Sequence, residues 1–495
     1  MNYVLAIDQG TTSSRAILFN ESMEPAFISQ KEFPQYFPHS GWVEHDPDEI
    51  WESVIFVCRD VIKKSGIKSS QIVSIGITNQ RETTLIWDRI TGKALHRAIV
   101  WQDRRTSSIC RELKDKGYEP LINKITGLLL DPYFSATKVK WLLDRNEKVR
   151  KNSTRGNYIF GTVDTFLIWK LTGGKVHATD ATNASRTMLY DIGKDDWSQE
   201  ICKLFGVPIE ILPKVLDCAD DFGVADSRFF GHKIPISGVA GDQHAATIGQ
   251  ACFEPGMIKS TYGTGCFVML NTGEGRVKST NKLLTTIAYR LKGNITYALE
   301  GSIFVAGASV QWLRDGLKVI REASETENLA RISDLNQKLY FVPAFTGLGA
   351  PHWDSDCRGS IFGLTRNSTV PEICRAALES VGYQTKDLIN AMLIDKANFN
   401  QSVMRVDGGM SASNWTMQFI ADIIGAPVDR PKVLETTAMG VAWLAGMKVD
   451  FYSSQNEFAS NWVKEKRFEV KMSTTERELL YEGWKESVQR TLVKY

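Results

Sequence analysis

The chain has 495 residues, 59 of them lysine or arginine and 57 aspartate or glutamate. That length points to two or more domains, and so even a charge balance gives no electrostatic case for nucleic acid or an anionic membrane as partner. The eight cysteines are scattered without a Cys-x-x-Cys pair, which fits reduced thiols in the cytoplasm better than a disulfide framework or a zinc site.

In chain order, the apolar run Tyr3–Ile7 enters a polar stretch, Asp8-Gln9-Gly10-Thr11-Thr12-Ser13-Ser14-Arg15, and Ala16–Phe19 leaves it. Asp8 breaks the opening apolar run, so no signal peptide is expected, and no later run reaches the length of a membrane span. The pattern reads as strand, tight turn, strand. An ordinary polar hairpin is the plain reading. The alternative is a phosphate site: turn N–H groups and Thr/Ser hydroxyls donate to phosphate oxygens. Asp8 at a strand end suits a divalent cation, and Arg15 suits the charge on a transferring phosphoryl group. Gly41–Pro47 then leads into a helix, with Asp46 as cap, Pro47 in the first position and Glu49 completing a capping box. Ile50, Val54, Val57, Cys58 and Val61 make its buried face, and His45 is read as a loop residue beside the cap.

Gln71–Thr78 alternates as a strand does and ends in Asn79-Gln80-Arg81-Glu82-Thr83-Thr84. Arg81-Glu82 reads either as a solvated turn or as a polyol clamp, arginine donating to hydroxyls and glutamate accepting from them. Trp101 and Tyr133, beside polar loops, are core residues or the wall of a small polar site. A helix is expected through Lys138 and Trp141, whereas the polar stretches Phe160–Thr165 and Thr182–Thr187 carry no assignable chemistry. Ile236–Gly241 is a small-residue strand that delivers Asp242, a favourable place for a general base, and His244 is read as structural.

The opening pattern returns half a chain later. Thr261-Tyr262-Gly263-Thr264-Gly265-Cys266 lies between apolar residues and Phe267–Leu270. Two related halves, each offering a Gly/Thr hairpin to phosphates, would explain it; chance similarity of a short motif is the alternative. Phe341–Asp354 reads as a long loop. A helix starts at Thr369, Pro371 and Glu372, with Ile373, Ala377, Val381, Gln384 and Leu388 on one side. Val403–Val406 is a strand ending in Asp407-Gly408-Gly409, before a helix from about Ser413, an arrangement that lets a nucleotide approach the backbone. The small residues of 438–446 permit tight helix packing, and Trp484 and Val488 are expected core contacts of the tail. There is no Walker-type loop, no Gly-x-Gly-x-x-Gly and no His-Glu-x-x-His.

The stretches Asp8–Arg15, Gly41–Pro47, Gly76–Thr84, Asp131–Lys138, Gly241–Gln243, Tyr262–Phe267, Pro343–Pro351 and Arg405–Gly409 together resemble the FGGY carbohydrate kinases. The resemblance runs from Tyr3 to about Ala445, and more weakly to Thr474–Arg477. Arg81-Glu82-Thr83 is similar to the branch of that family that acts on glycerol. The resemblance implies an α/β fold of two actin-like (RNase H-like) ATPase domains flanking a deep cleft. Residues 1–250 would carry the glycerol and phosphate sites and residues 251–495 the nucleotide site. It implies ATP-dependent phosphorylation of glycerol to sn-glycerol 3-phosphate with Mg2+, in a cytoplasmic enzyme of glycerol catabolism that forms a homodimer or homotetramer and needs no membrane. By motif, Arg81, Glu82, Trp101, Tyr133, Asp242, Gln243 and Phe267 fall on the glycerol site. Asp242 falls on the general base, with the low pKa of an ordinary carboxylate. Thr11, Thr12, Ser13 and the catalytic Arg15 fall on the phosphate site. Thr264, Gly307, Gln311 and Gly409 fall on the nucleotide site, and Asp8 and Asp242 on the magnesium site.

Three positions depart from the family pattern. His244 stands where a glutamine is usual. Ser413, followed by Asn414, stands where an adenine-contacting asparagine is usual. Phe222–Ile234 is short, with Arg228 where some relatives carry a phosphorylated histidine and without the glycine-rich loop that binds fructose 1,6-bisphosphate in others. Neither control is expected here. The rival readings are a kinase of the same family acting on a pentulose or four-carbon polyol, and a non-enzymatic actin- or chaperone-like ATPase module.

Overall fold

The computed structural model describes residues 1–154, 156–354, 356–395 and 403–492. The opening apolar runs form β1 (Tyr3–Gln9) and β2 (Ser13–Phe19), antiparallel, with the turn closed by Gly10 N–H donating to the Ser13 carbonyl at 2.9 Å. β3 (Pro25–Glu32) pairs antiparallel with β2 at the sheet edge. On the other side β4 (Ile72–Asn79) and β5 (Ile234–Gly241) add in parallel, and the short strand Val224–Ala225 closes that edge. The alternation expected in β4 gives way to burial along nearly its whole length, because helices cover both faces of this sheet.

The second sheet is built from β6 (Ile258–Tyr262), β7 (Cys266–Gly273), β8 (Leu284–Leu291), β9 (Asn294–Ile303), β10 (Met404–Asp407), β11 (Val428–Pro431) and β12 (Lys464–Phe468). Its order is β8-β9-β7-β6-β10-β11-β12. β6, β7 and β9 run antiparallel as β1, β2 and β3 do, and β10 and β11 add in parallel as β4 and β5 do. The repeat visible as two short hairpins therefore extends over five strands of each sheet.

α1 (Pro47–Ser65) packs on β2 and β3, capped by Asp46, which accepts from the Asp48 N–H at 2.9 Å. Two expectations fail here. Glu49 does not complete a capping box; its carboxylate accepts from the Tyr36 hydroxyl at 2.8 Å. His45 is not a loop residue: it is fully buried in a two-residue strand and bonded to Gln35 at 2.5 Å and Gln80 at 3.2 Å, and burial pushes its pKa down to about 4. The segment expected as a loop from Phe341 opens instead within a strand, Tyr340–Val342, paired with Ser360–Phe362.

The halves meet at two crossing helices, α2 (Asp242–Gly249) and α3 (Thr436–Lys448). A Cβ built on Gly249 would lie 1.9 Å from the Thr436 carbonyl oxygen, and one built on Gly440 would lie 1.9 Å from that of Ala245. No side chain fits at either place, so the two backbones touch. α3 also lies on the first sheet, where Gly76 and Gly238 leave room for its Val441 carbonyl and Ala445 N–H. The small residues of 438–446 serve this double contact. Trp484 and Val488 are buried in the core of the second half, as expected. All eight cysteines are buried and unbridged. Among the described residues, no helix is long and apolar enough to cross a membrane.

Candidate active site

The carboxyl ends of β1, β4 and β5 carry the reactive groups of the first half. Asp8 sits across the ladder from Arg15. Burial pushes the Asp8 pKa up to about 6; Arg15 pulls it down, and the charges of Asp242 and Glu435 push it further up. Arg15 reaches across to the second half and pairs with Glu435, the residue preceding α3. Thr11 accepts from the Trp101 indole N–H at 3.0 Å, so the phosphate hairpin and the aromatic wall are joined. Thr12 is exposed at the tip, and the Ser13 hydroxyl accepts from Gln30 at 3.1 Å.

Beside the hairpin lies a buried charge network. Both terminal nitrogens of Arg81 donate to Glu300 at 2.8 Å, and its Nε lies 3.1 Å from Asp242. Glu82 takes a φ of 59°, the left-handed region that a residue with a side chain seldom occupies. Its carbonyl is held there by the Ser135 hydroxyl at 3.0 Å and the Lys138 ammonium at 3.5 Å. Its carboxylate accepts from Arg186 Nε at 2.6 Å. The solvated-turn reading of Arg81-Glu82 is thus excluded, since both side chains are buried. Trp101, Tyr133 and Phe267 stand around this pair, with Trp101 edge-on to Tyr133 at 5.6 Å and to Phe267 at 6.3 Å. The Arg81 guanidinium lies 5.8 Å from the Phe267 ring. Gln243 follows Asp242 in the same turn and accepts from the buried Lys259 ammonium at 2.7 Å.

Asp242 opens α2 with its side chain one-third exposed. Its pKa is raised, not low as expected. Burial outweighs the pull of Arg81, the Gln243 N–H and Lys259, and Glu300 adds to the rise. A raised carboxyl is a stronger proton acceptor, which suits a base. His244 is fully buried, bonded to Thr286 at 3.3 Å and driven well below the usual imidazole pKa by burial, so it is neutral and structural.

The second hairpin offers backbone instead of charge. The Thr264 carbonyl accepts from Ala306 and Ala308, and Gly307 N–H donates to Gly263 at 3.0 Å. A Cβ on Gly307 would lie 2.7 Å from the Gly263 oxygen, whereas the space over Gly409 is open. Thr264, Gly307 and Gly409 thus gather at one end of the second sheet, and Gln311 is exposed at the end of the helix Gly307–Gln311. Ser413 has another occupation: it caps the helix Asn414–Ile424, accepting from Thr416 N–H at 3.2 Å and donating to Glu327 at 2.9 Å.

Arg186 and Glu300 are the two members of the charge network that no motif announced. Arg186 belongs to the 182–187 stretch that carried no assignable chemistry. Glu300 is the one charge within the otherwise apolar or small run Tyr297–Ile303, and that isolation was the available signal.

Residues 3–249 match the N-terminal domain of the FGGY family of carbohydrate kinases, and residues 258–449 match its C-terminal domain. The glycerol kinase of Roseobacter denitrificans is 61% identical over 493 residues, covering 99% of this chain and all of that protein. That of Sinorhizobium fredii is 61% identical over 492 residues, covering 99% of each. Among solved structures, Plasmodium falciparum glycerol kinase with ADP superposes with a TM-score of 0.94 at 38% identity, over all of this chain and 99% of that one. Gluconate kinase from Lactobacillus acidophilus shares the fold, with a TM-score of 0.90 at 21% identity, over all of this chain and 99% of that one. The two-sheet α/β architecture, the paired hairpins and these matches along nearly the whole length agree: the chain belongs to the FGGY family of carbohydrate kinases.

Proposed function

We propose that this enzyme transfers the terminal phosphoryl group of ATP to glycerol, giving sn-glycerol 3-phosphate. The observation that carries the reading is the buried Arg81–Glu82 pair with Asp242 beside it, walled by three aromatic rings and set next to the phosphate hairpin. A guanidinium and a carboxylate side by side match the donor and acceptor needs of adjacent hydroxyls, and the aromatic rings beside them suit the carbon backbone of a short polyol. Asp242 takes the hydroxyl proton as attack proceeds. Thr11, Thr12 and Ser13 cradle the phosphates, and Arg15 offsets charge on the moving group once it exchanges Glu435 for phosphate. Thr264, Gly307, Gln311 and Gly409 receive the nucleotide; Ser413 joins them only by giving up the bonds of its hydroxyl to Thr416 and Glu327.

Asp8 and Asp242 would hold Mg2+. The buried Asp8 carboxyl, raised further by the neighbouring Asp242 charge, would supply with Asp242 the oxygen ligands that a hard divalent cation prefers, its other ligands coming from phosphate and water. When bound, the ion would neutralise phosphate charge. The boundary between the two kinase domains is placed near residue 250. A cytoplasmic homodimer or homotetramer is the expected form.

The test is coupled ADP release with Mg2+, with and without glycerol, beside Asp242→Asn. Glycerol-dependent release that falls by about 10²- to 10⁴-fold in the variant is expected. Turnover that survives the substitution removes Asp242 from its role. Turnover with another polyol instead of glycerol removes the substrate.

A further inference from the structure

Glu300 sits in the middle of β9, fully buried. A lone carboxylate there is costly unless it is paired and hydrogen-bonded. It is paired twice. Arg81 meets it with both terminal nitrogens at 2.8 Å, and Arg186 faces it at 3.2 Å. Burial pushes its pKa up, but Arg186 and Arg81 outweigh burial and hold the carboxyl well below its usual range, so it stays charged. Among the described residues, the hydrogen bonds and ion pairs of the Glu300 carboxylate go to Arg81 and Arg186, not to Asp242 or the aromatic wall.

Its place in the network decides the pose of both jaws of the polyol clamp. Arg81 has five N–H donors in a fixed plane. With its end held by Glu300, its Nε edge faces Asp242 and its remaining donors stay available beside Phe267. Glu82 is set by Arg186 Nε, and the terminal nitrogens of that arginine have no aligned hydrogen bond, only the ion pair to Glu300. One carboxylate of the second sheet therefore orients Arg81 directly and Glu82 through Arg186. Without it, two buried guanidiniums would compete for Glu82 and Asp242, and both jaws would turn away from the substrate.

We propose that Glu300 is a positioning residue that sets the affinity and selectivity of the polyol site. The proposal rests on the glycerol reading above and goes beyond it by naming what holds the clamp in place. The test is Glu300→Gln, which keeps the shape and removes the charge, with Glu300→Asp as the conservative variant. In Glu300→Gln the KM for glycerol should rise about 100-fold, the loss expected from a small misplacement of a positioning group. The KM for ATP should stay within about twofold. The preference for glycerol over ethylene glycol in kcat/KM should shrink by about tenfold or more, because a displaced clamp no longer rewards the extra hydroxyl. Glu300→Asp, with its charge kept, should recover most of the loss.

A general structural role would change both KM values together and leave the preference intact; that result overturns the proposal, as does a folded Glu300→Gln with unaltered kinetics. If Glu300→Gln does not fold, Glu300→Asp decides: a raised glycerol KM at constant ATP KM supports the assignment, and unaltered glycerol and ATP KM values overturn it. A wild-type enzyme that prefers another polyol overturns the glycerol reading alone, since the same split measured with that polyol still decides the role of Glu300.

Discussion

The two hairpins share a backbone plan and divide the chemistry. One ladder pair back from the turn, the first hairpin sets Asp8 opposite Arg15; the second sets Thr261 opposite Phe267. The first side brings charge of both signs to the cleft. The second brings a close backbone contact between Gly307 and Gly263, open space over Gly409, and one aromatic wall. The difference teaches that an inherited fold fixes where a site lies, while a few side chains at matching register positions decide what each side contributes. The halves remain bound to one another through Arg15–Glu435 and Arg81–Glu300, each of which pairs an arginine of the first half with a carboxylate of the second.

The largest expected effect comes from abolishing the symmetry itself. Gly440→Val places a branched side chain against the Ala245 carbonyl and should cost more than about 4 kcal/mol or prevent folding, read from the denaturation midpoint. A Tm close to that of the wild type would show that the crossing yields more easily than its geometry says. Next, Arg15→Met should lower kcat by about 10³-fold with little change in glycerol KM, whereas Thr264→Val should cost less than about tenfold. Equal losses would erase the division between a charged and a neutral hairpin.

The last contrast is acid sensitivity. His45, His177 and His244 lie in the first half, each with a pKa pushed down by burial, His45 and His177 to about 4 from 6.5. The unfolded chain binds these protons more readily. The stability they contribute is therefore complete above pH 6.5 and is lost as pH falls toward 4, by up to about 3 kcal/mol for His45. Asp8 and Asp164, raised by burial to about 6 and about 7, act in the opposite sense in the same half, because the folded chain binds their protons more readily. The histidine share is therefore read as a difference: the change in unfolding free energy between about pH 6.5 and about pH 5 should be less destabilising in His45→Gln than in the wild type. An identical change in both proteins would refute this account.

The parts of the molecule that could be read beforehand are those whose partners lie close in sequence. The two hairpins, the Asp46 cap, and Asp242 at a strand end all have local signatures, and so does the glycine turn at 408–409. Arg81-Glu82 could be read as a clamp only as one of two possibilities, because its burial depends on Ser135, Lys138, Arg186 and Glu300. Glu300 acts on Arg81 from 219 positions away, a separation at which spacing carries no information. The Glu49 expectation failed for a related reason: Tyr36 competes successfully for its carboxylate. The Asp242 pKa depends on burial and on the charges of Arg81, Lys259 and Glu300, which are distant in sequence, so its direction was illegible until they were assembled.

The contact between Gly249 and Gly440 is reciprocal down to the individual atoms: each Cβ position would lie 1.9 Å from a carbonyl oxygen and 3.0 Å from the other glycine's nitrogen. Such a contact lies on a local twofold axis, where a residue meets its own counterpart. In a dimer of identical chains, one codon would write both sides of it. In this single chain two separate codons must each spell glycine, and a mutation in either is enough to block the contact. The joint between the halves is therefore twice as large a target for mutation as the same joint between two copies of one gene product.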